Sequence, residues 1–106
     1  MQTGHLAIDV EKLRHGADEA IGALKLLYNK DSLLLLCQLS QGEMCVSDLE
    51  AQLDIRQPTL SQQLGVLRGE GVVSTRRQGK NIFYGVADPA LLEILALLHR
   101  LYCEKD

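Results

Sequence analysis

Between residues 47 and 86 the apolar spacing of the chain changes from that of a helix to that of a strand, and every break falls where two short helices and a hairpin need one. Ser47-Asp48-Leu49-Glu50 fits a capping box and predicts a short helix to Leu53. Asp54-Ile55-Arg56-Gln57 then makes a tight turn, and Pro58 suits the first position of a new helix, where its missing N–H is not needed. That helix turns Leu60, Leu64 and Leu67 inward and Thr59, Ser61, Gln62 and Gln63 outward, and Gly69 and Gly71 punctuate its end. Val72–Thr75 and Ile82–Val86 are rich in β-branched and aromatic residues and flank Arg76-Arg77-Gln78-Gly79-Lys80-Asn81, which predicts a β-hairpin with a basic tip. Gly85 inside a strand marks a bulge or close packing.

The flanking segments are helical. Leu13, Ala17, Ala20, Ile21, Leu24, Leu27 and Tyr28 form one stripe of a first helix; a second, capped by Asp31 or Ser32, runs to about Ser40; Asp88-Pro89 opens a last one to about Cys103. The 106 residues have room for one domain, 1–106, with residues 1–8 expected to be a loose tail. The fold class is therefore mainly α with a small β-hairpin: a winged helix-turn-helix with the hairpin between the fourth and fifth helices. The first and last helices carry more apolar surface than one small domain can cover, so both are expected to face a second subunit in a homodimer.

Charge narrows the function. The net charge of -3 argues against nucleic acid, yet residues 56–81 hold five basic residues against one acidic residue, a local +4, while the rest hold six against thirteen, or -7. Phosphate recognition depends on such a local patch. In a winged helix the second helix of the pair presents its N-terminal half to the major groove, making Gln57, Thr59, Ser61, Gln62 and Gln63, with Arg68 further along, the candidate contacts to double-stranded DNA. Arg76, Arg77 and Lys80 on the hairpin are candidates for the backbone or minor groove. Charged hairpin tips also occur simply as protected sheet edges, and a polar helix face can be an ordinary solvent face. It is the order of the two features that favours DNA over a protein-binding module. The longest apolar run, Leu33–Cys37, cannot span a bilayer, and the N-terminus lacks a secretion signal, so a cytoplasmic, nucleoid-associated location is expected. No CxxC, Ser/His/Asp arrangement or phosphate loop supports an enzyme, and no cofactor is expected.

Cys37, Cys45 and Cys103 are an odd set without paired short spacings. Read from the residues alone, Cys37 after four leucines is a small buried hydrophobe. Cys103 sits at a helix C-terminus, whose dipole disfavours a thiolate, with Arg100 one turn back as an offset. His5 and His15 read as surface residues.

Gln57-Pro58-Thr59-Leu60-Ser61-Gln62-Gln63-Leu64-Gly65-Val66-Leu67-Arg68, Gly71-Val72-Val73, the Arg77-Gln78-Gly79-Lys80 wing and Tyr84 resemble the ArsR/SmtB family of bacterial dimeric repressors across nearly the whole chain. The resemblance implies a homodimer on a palindromic operator, released by an inducer. Leu36-Cys37 and Tyr102-Cys103 are similar to the sulfide- and redox-responsive branch (the BigR, SqrR and HlyU group), which implies a switch in which Cys37 and Cys103 form a disulfide or polysulfide bridge in response to reactive sulfur or an oxidant. Three features depart from the family pattern. Asn29-Lys30-Asp31-Ser32 replaces a His-Pro-x-Arg motif, Glu43-Met44-Cys45-Val46-Ser47-Asp48-Leu49 has one of the two metal-site cysteines, and Asp88-Pro89-Ala90 lacks the histidine of the helix 5 zinc site. No metal site is expected; the alternative, a metal-responsive repressor, would draw on Cys45, or on His99 with Cys103 and Glu104.

Overall fold

The computed structural model describes residues 9–104, so the expected tail at 1–8 lies outside the described residues. The elements run α1 (Val10–Tyr28), α2 (Lys30–Ser40), β1 (Met44–Cys45), α3 (Val46–Leu53), α4 (Thr59–Gly69), β2 (Val73–Gln78), β3 (Asn81–Val86) and α5 (Pro89–Tyr102). Three helices start on side-chain caps. Asp9 accepts from the Glu11 and Lys12 amides at 2.9 and 3.3 Å, Asn29 from Asp31 and Ser32 at 2.9 and 3.2 Å, and Asp88 from Ala90 at 2.9 Å. Asn29 thus takes the place expected of Asp31 or Ser32: α2 begins at Lys30, which puts both inside its first turn, and the buried Ser32 hydroxyl is donated to Gln63.

A strand pair absent from the sequence reading explains the start of α3. Met44 and Cys45 pair antiparallel with Tyr84 and Phe83, so the sheet has three strands in the order β1-β3-β2. Extended backbone at Cys45 feeds straight into α3, whose first residue is Val46 and whose N-cap makes no side-chain bond. The Ser47–Glu50 capping box therefore does not form. Pro58 likewise stands one residue before α4, at its N-cap.

The hairpin is longer than expected. β2 and β3 stay in register from Val73–Val86 to Gln78–Asn81, leaving only Gly79 and Lys80 as the turn. Gly79, at φ 64°, makes that two-residue turn possible. Arg76 and Arg77 consequently lie within β2, on opposite faces, and only Lys80 occupies the tip.

The core joins Leu35, Leu36 and Leu39 of α2, Leu49 of α3, Leu60, Leu64 and Leu67 of α4, Val72 and Val73, and Leu91 and Leu95 of α5. Met44, Tyr84 and Val86 line it from the sheet. No helix among the described residues is long and apolar enough to cross a membrane.

Candidate DNA-binding surface and cysteine pair

α3, a turn through Asp54 in the left-handed region (φ 56°) and α4 place α4 on the open side of the helix pair, its three leucines inward. Thr59, Ser61 and Gln62 are exposed at its N-terminal half and Arg68 at its last turn. Two glutamines are committed elsewhere. Gln57 Oε1 accepts from the Ser61 amide at 3.2 Å and from the Ser61 hydroxyl, so this side chain braces the first turn of α4. Gln63 is half-buried, and its Oε1 accepts from the hydroxyl of the buried Ser32 at 2.8 Å, tying α4 to α2. Val66 lies exposed on α4 beyond the polar residues, an apolar side chain on the same helix that its sequence does not single out.

The three wing cations differ. Arg77 and Lys80 are exposed and have no carboxylate within salt-bridge distance among the described residues. Arg76 donates from Nε and Nη2 to Glu43 Oε1 at 3.0 and 2.8 Å and from Nη1 to Gln78 Oε1 at 2.8 Å, and its guanidinium lies 5.1 Å from the Phe83 ring centroid. The carboxylate holds the Arg76 proton more firmly than water would. Glu43 was missed because its partner is 33 residues away and no local period links them.

Helices α2 and α5 pack together; Cys37 lies on the first and Cys103 at the C-cap of the second. Cys37 is half-buried and Cys103, at the C-cap of α5, is exposed. Burial pushes the Cys37 thiol up first, and the negative charge of a Cys103 thiolate raises it further. Cys45 stands apart, its Sγ 3.3 Å from Ser47 Oγ and donating to Asp48 Oδ2 at 3.3 Å. His99 pairs through Nδ1 with Glu104 Oε2 at 3.1 Å, and among the described residues no three His, Cys, Asp or Glu side chains converge as metal ligands. His15 is a surface residue, as expected, 3.7 Å from Glu19.

Residues 29–75, which span α2, α3, α4 and the first residues of β2, match the family of bacterial regulatory proteins of the arsR family. The biofilm growth-associated repressor of Agrobacterium fabrum is 47% identical over 93% of this chain and 85% of its own length. This chain belongs to the ArsR family. The crystal structure of the repressor BigR from Xylella fastidiosa superposes with a TM-score of 0.83 at 41% identity, covering 92% of this chain and all of that one. HlyU of Vibrio cholerae, named a transcriptional activator, is 33% identical over 93% of this chain and 92% of its own, and its reduced form superposes with a TM-score of 0.83 at 34% identity over 89% and 99%. The winged helix-turn-helix is thus the fold of the chain, and its relatives are transcriptional regulators rather than enzymes.

Proposed function

We propose that the chain is a homodimeric, cytoplasmic transcriptional repressor that binds operator DNA through α4 and the wing and releases it when Cys37 and Cys103 are bridged. The observation that carries the switch is that α2 and α5, the helices that bear these two thiols, pack on each other, and the charge of Cys103 is among the causes that raise the Cys37 thiol. The exposed Cys103 thiolate reacts first. It opens an S–S bond of an inorganic polysulfide, keeping two or more of its sulfurs and expelling the remainder as hydrosulfide or a shorter polysulfide; Cys37 then attacks the sulfur next to the terminal one and expels that terminal sulfur as hydrosulfide, so both thiols lose a proton, the electron pairs leave on sulfide, and the retained sulfur stays in the bridge. With peroxide, Cys103 becomes a sulfenic acid with release of hydroxide, and Cys37 closes a plain disulfide with release of water.

Support for the dimer comes from α1. This 19-residue helix buries no residue within the chain; Val10, Leu13, Ile21, Leu24 and Tyr28 stand exposed on it, as do Leu97, Leu101 and Tyr102 on α5. The radius of gyration is 16.4 Å, where a compact domain of about 100 residues has about 13 Å, as expected of half an assembly. Two recognition helices about 34 Å apart would then reach successive major grooves. Bridging ties α5, on the dimer face, to α2, whose Ser32 holds Gln63 of α4, and so changes that separation. A coupling of about 1–3 kcal/mol lowers operator affinity about 5- to 150-fold.

The test pairs selection of a binding duplex from a random library with intact-mass measurement after polysulfide and, separately, peroxide, using Cys37→Ser and Cys103→Ser as controls. A cross-link joining the two cysteines, with loss of the selected duplex, supports the switch; added sulfur in the bridge identifies reactive sulfur as inducer, and a plain disulfide from both reagents a general redox sensor. Full release of the duplex from Cys37→Ser after treatment would sink it.

A further inference from the structure

The wing carries three cations, and the sheet register separates them. Cys45, Phe83 and Arg76 lie in one row across the three strands, and Gly85 lies two rows on, beside Ser74. Strand alternation puts Glu43, Cys45, Phe83, Gly85, Arg76 and Gln78 on the outer face, while Met44, Tyr84 and Val86 face the core. Glu43 precedes the edge strand β1 and Arg76 lies on the opposite edge strand β2, so their bond must cross the whole sheet. It crosses at Gly85. A Cβ there would lie 3.2 Å from Glu43 Cγ, closer than the usual carbon contact of about 3.5–4 Å, so the missing side chain is the gap through which the carboxylate reaches the arginine. Each of the three Arg76 nitrogens already donates within the chain, and Phe83 lies under the guanidinium. Arg77 points from the other face, and Lys80 stands at the turn.

We propose that Arg76 is a positioning residue, held by Glu43 across Gly85 so that it fastens the outer strand of the wing to the body of the domain, and that Arg77 and Lys80 alone supply the wing's phosphate contacts. The inference rests on the DNA-binding reading only for its second half. Phosphate contacts and struts differ in what salt does to them. Each phosphate neutralised steepens the dependence of log affinity on log salt by about 0.9, whereas a strut changes affinity at constant slope.

The experiment measures binding of the full chain to a fluorescent 30-base-pair mixed-sequence duplex over a salt series, together with hydrogen exchange of the wing amides, for the wild type, Glu43→Gln, Arg76→Ala, Arg77→Ala and Lys80→Ala. Glu43→Gln and Arg76→Ala are expected to speed exchange in β2 while leaving the core amides unchanged, and to weaken binding by similar factors of about two to five at unchanged slope, the range of one exposed ion pair. Arg77→Ala and Lys80→Ala are expected to leave exchange unchanged and to reduce the slope by about 1.8 each, one phosphate per subunit of the dimer at about 0.9 per phosphate. A slope reduced by Arg76→Ala makes Arg76 a phosphate contact, and tighter binding by Glu43→Gln makes Glu43 an electrostatic brake; either overturns the proposal, as does unaltered exchange in both variants. If the wild type binds no duplex, the DNA-binding reading fails, and exchange alone decides whether the strut stands.

Discussion

Helices α1 and α2 are consecutive and pack on each other, yet they stand in opposite relation to the core. α2 buries four of its 11 residues, and α1 none of its 19. Both have apolar stripes, so the difference lies in what each stripe meets. Leu35, Leu36 and Leu39 close against α3, α4 and α5 of the same chain, whereas most of the α1 stripe has nothing opposite it. An apolar stripe therefore reports that something covers a helix without saying whether the cover belongs to the same chain.

If a second copy covers α1, charges placed there should separate subunits without unfolding them. The double variant Ile21→Asp with Leu24→Asp is expected to sediment as a monomer with the core intact, and to lose about 10²- to 10⁴-fold in affinity for a two-half-site duplex, the contribution of bivalency. A wild-type chain that sediments as a monomer at micromolar concentration would break the comparison. In α2, by contrast, Leu36→Ala removes a side chain with no exposure and should destabilise the domain by about 2–5 kcal/mol in urea unfolding. Leu13→Ala, at an exposed α1 position, is the matched control, and its effect on the isolated subunit should stay within about 0.5 kcal/mol.

What could be read from sequence follows the same division. Features that repeat locally were legible: the α1 stripe, the leucine spacing of α4, the Asp88-Pro89 start of α5 and the Val- and aromatic-rich strands. Features made by distant partners were not. β1 exists because Met44 and Cys45 find Tyr84 and Phe83, and that pairing displaced the capping box at Ser47. Arg76 and Arg77 have weak strand preference, so the tip looked longer than it is; the ladder carries them once Gly79 turns the chain. Gln63 looked like another outward glutamine until Ser32 was seen to hold it. The proposed pairing of Cys37 with Cys103 has no local signature and rests on resemblance.

The two thiols repeat the contrast between a covered and an open site. Cys103 is exposed and Cys37 half-buried with its thiol pushed up, by burial first and the Cys103 charge second. Alkylation by iodoacetamide should therefore label Cys103 first. Between pH 7 and 8 the Cys37 rate should rise about tenfold, since its thiolate is then a small fraction growing in proportion to hydroxide. Cys103→Ser removes the charge and should speed Cys37. Stability follows with a definite sign: the folded chain holds the Cys37 proton more tightly than the unfolded chain, so this contribution is complete below the ordinary thiol range and is lost as pH rises through the raised value. Cys37→Ser should flatten that alkaline limb of the stability profile.

The smallest effects separate two neighbours on α4. Ser32 Oγ, buried at the start of α2, donates to Gln63 Oε1, so Ser32→Ala leaves a half-buried carbonyl short of a partner and should destabilise by about 1 kcal/mol with little change in which duplex is selected. Gln62 is exposed and makes no side-chain bond among the described residues. Its substitution by alanine should leave urea stability within about 0.5 kcal/mol. If Gln62 reads an adenine edge, the same change removes about 1–3 kcal/mol of preference at one base pair of the selected site. Should Gln63→Ala relax base preference while Gln62→Ala does not, the bond to Ser32 must open on the DNA, and the inward and outward faces of α4 would have to be exchanged at that turn.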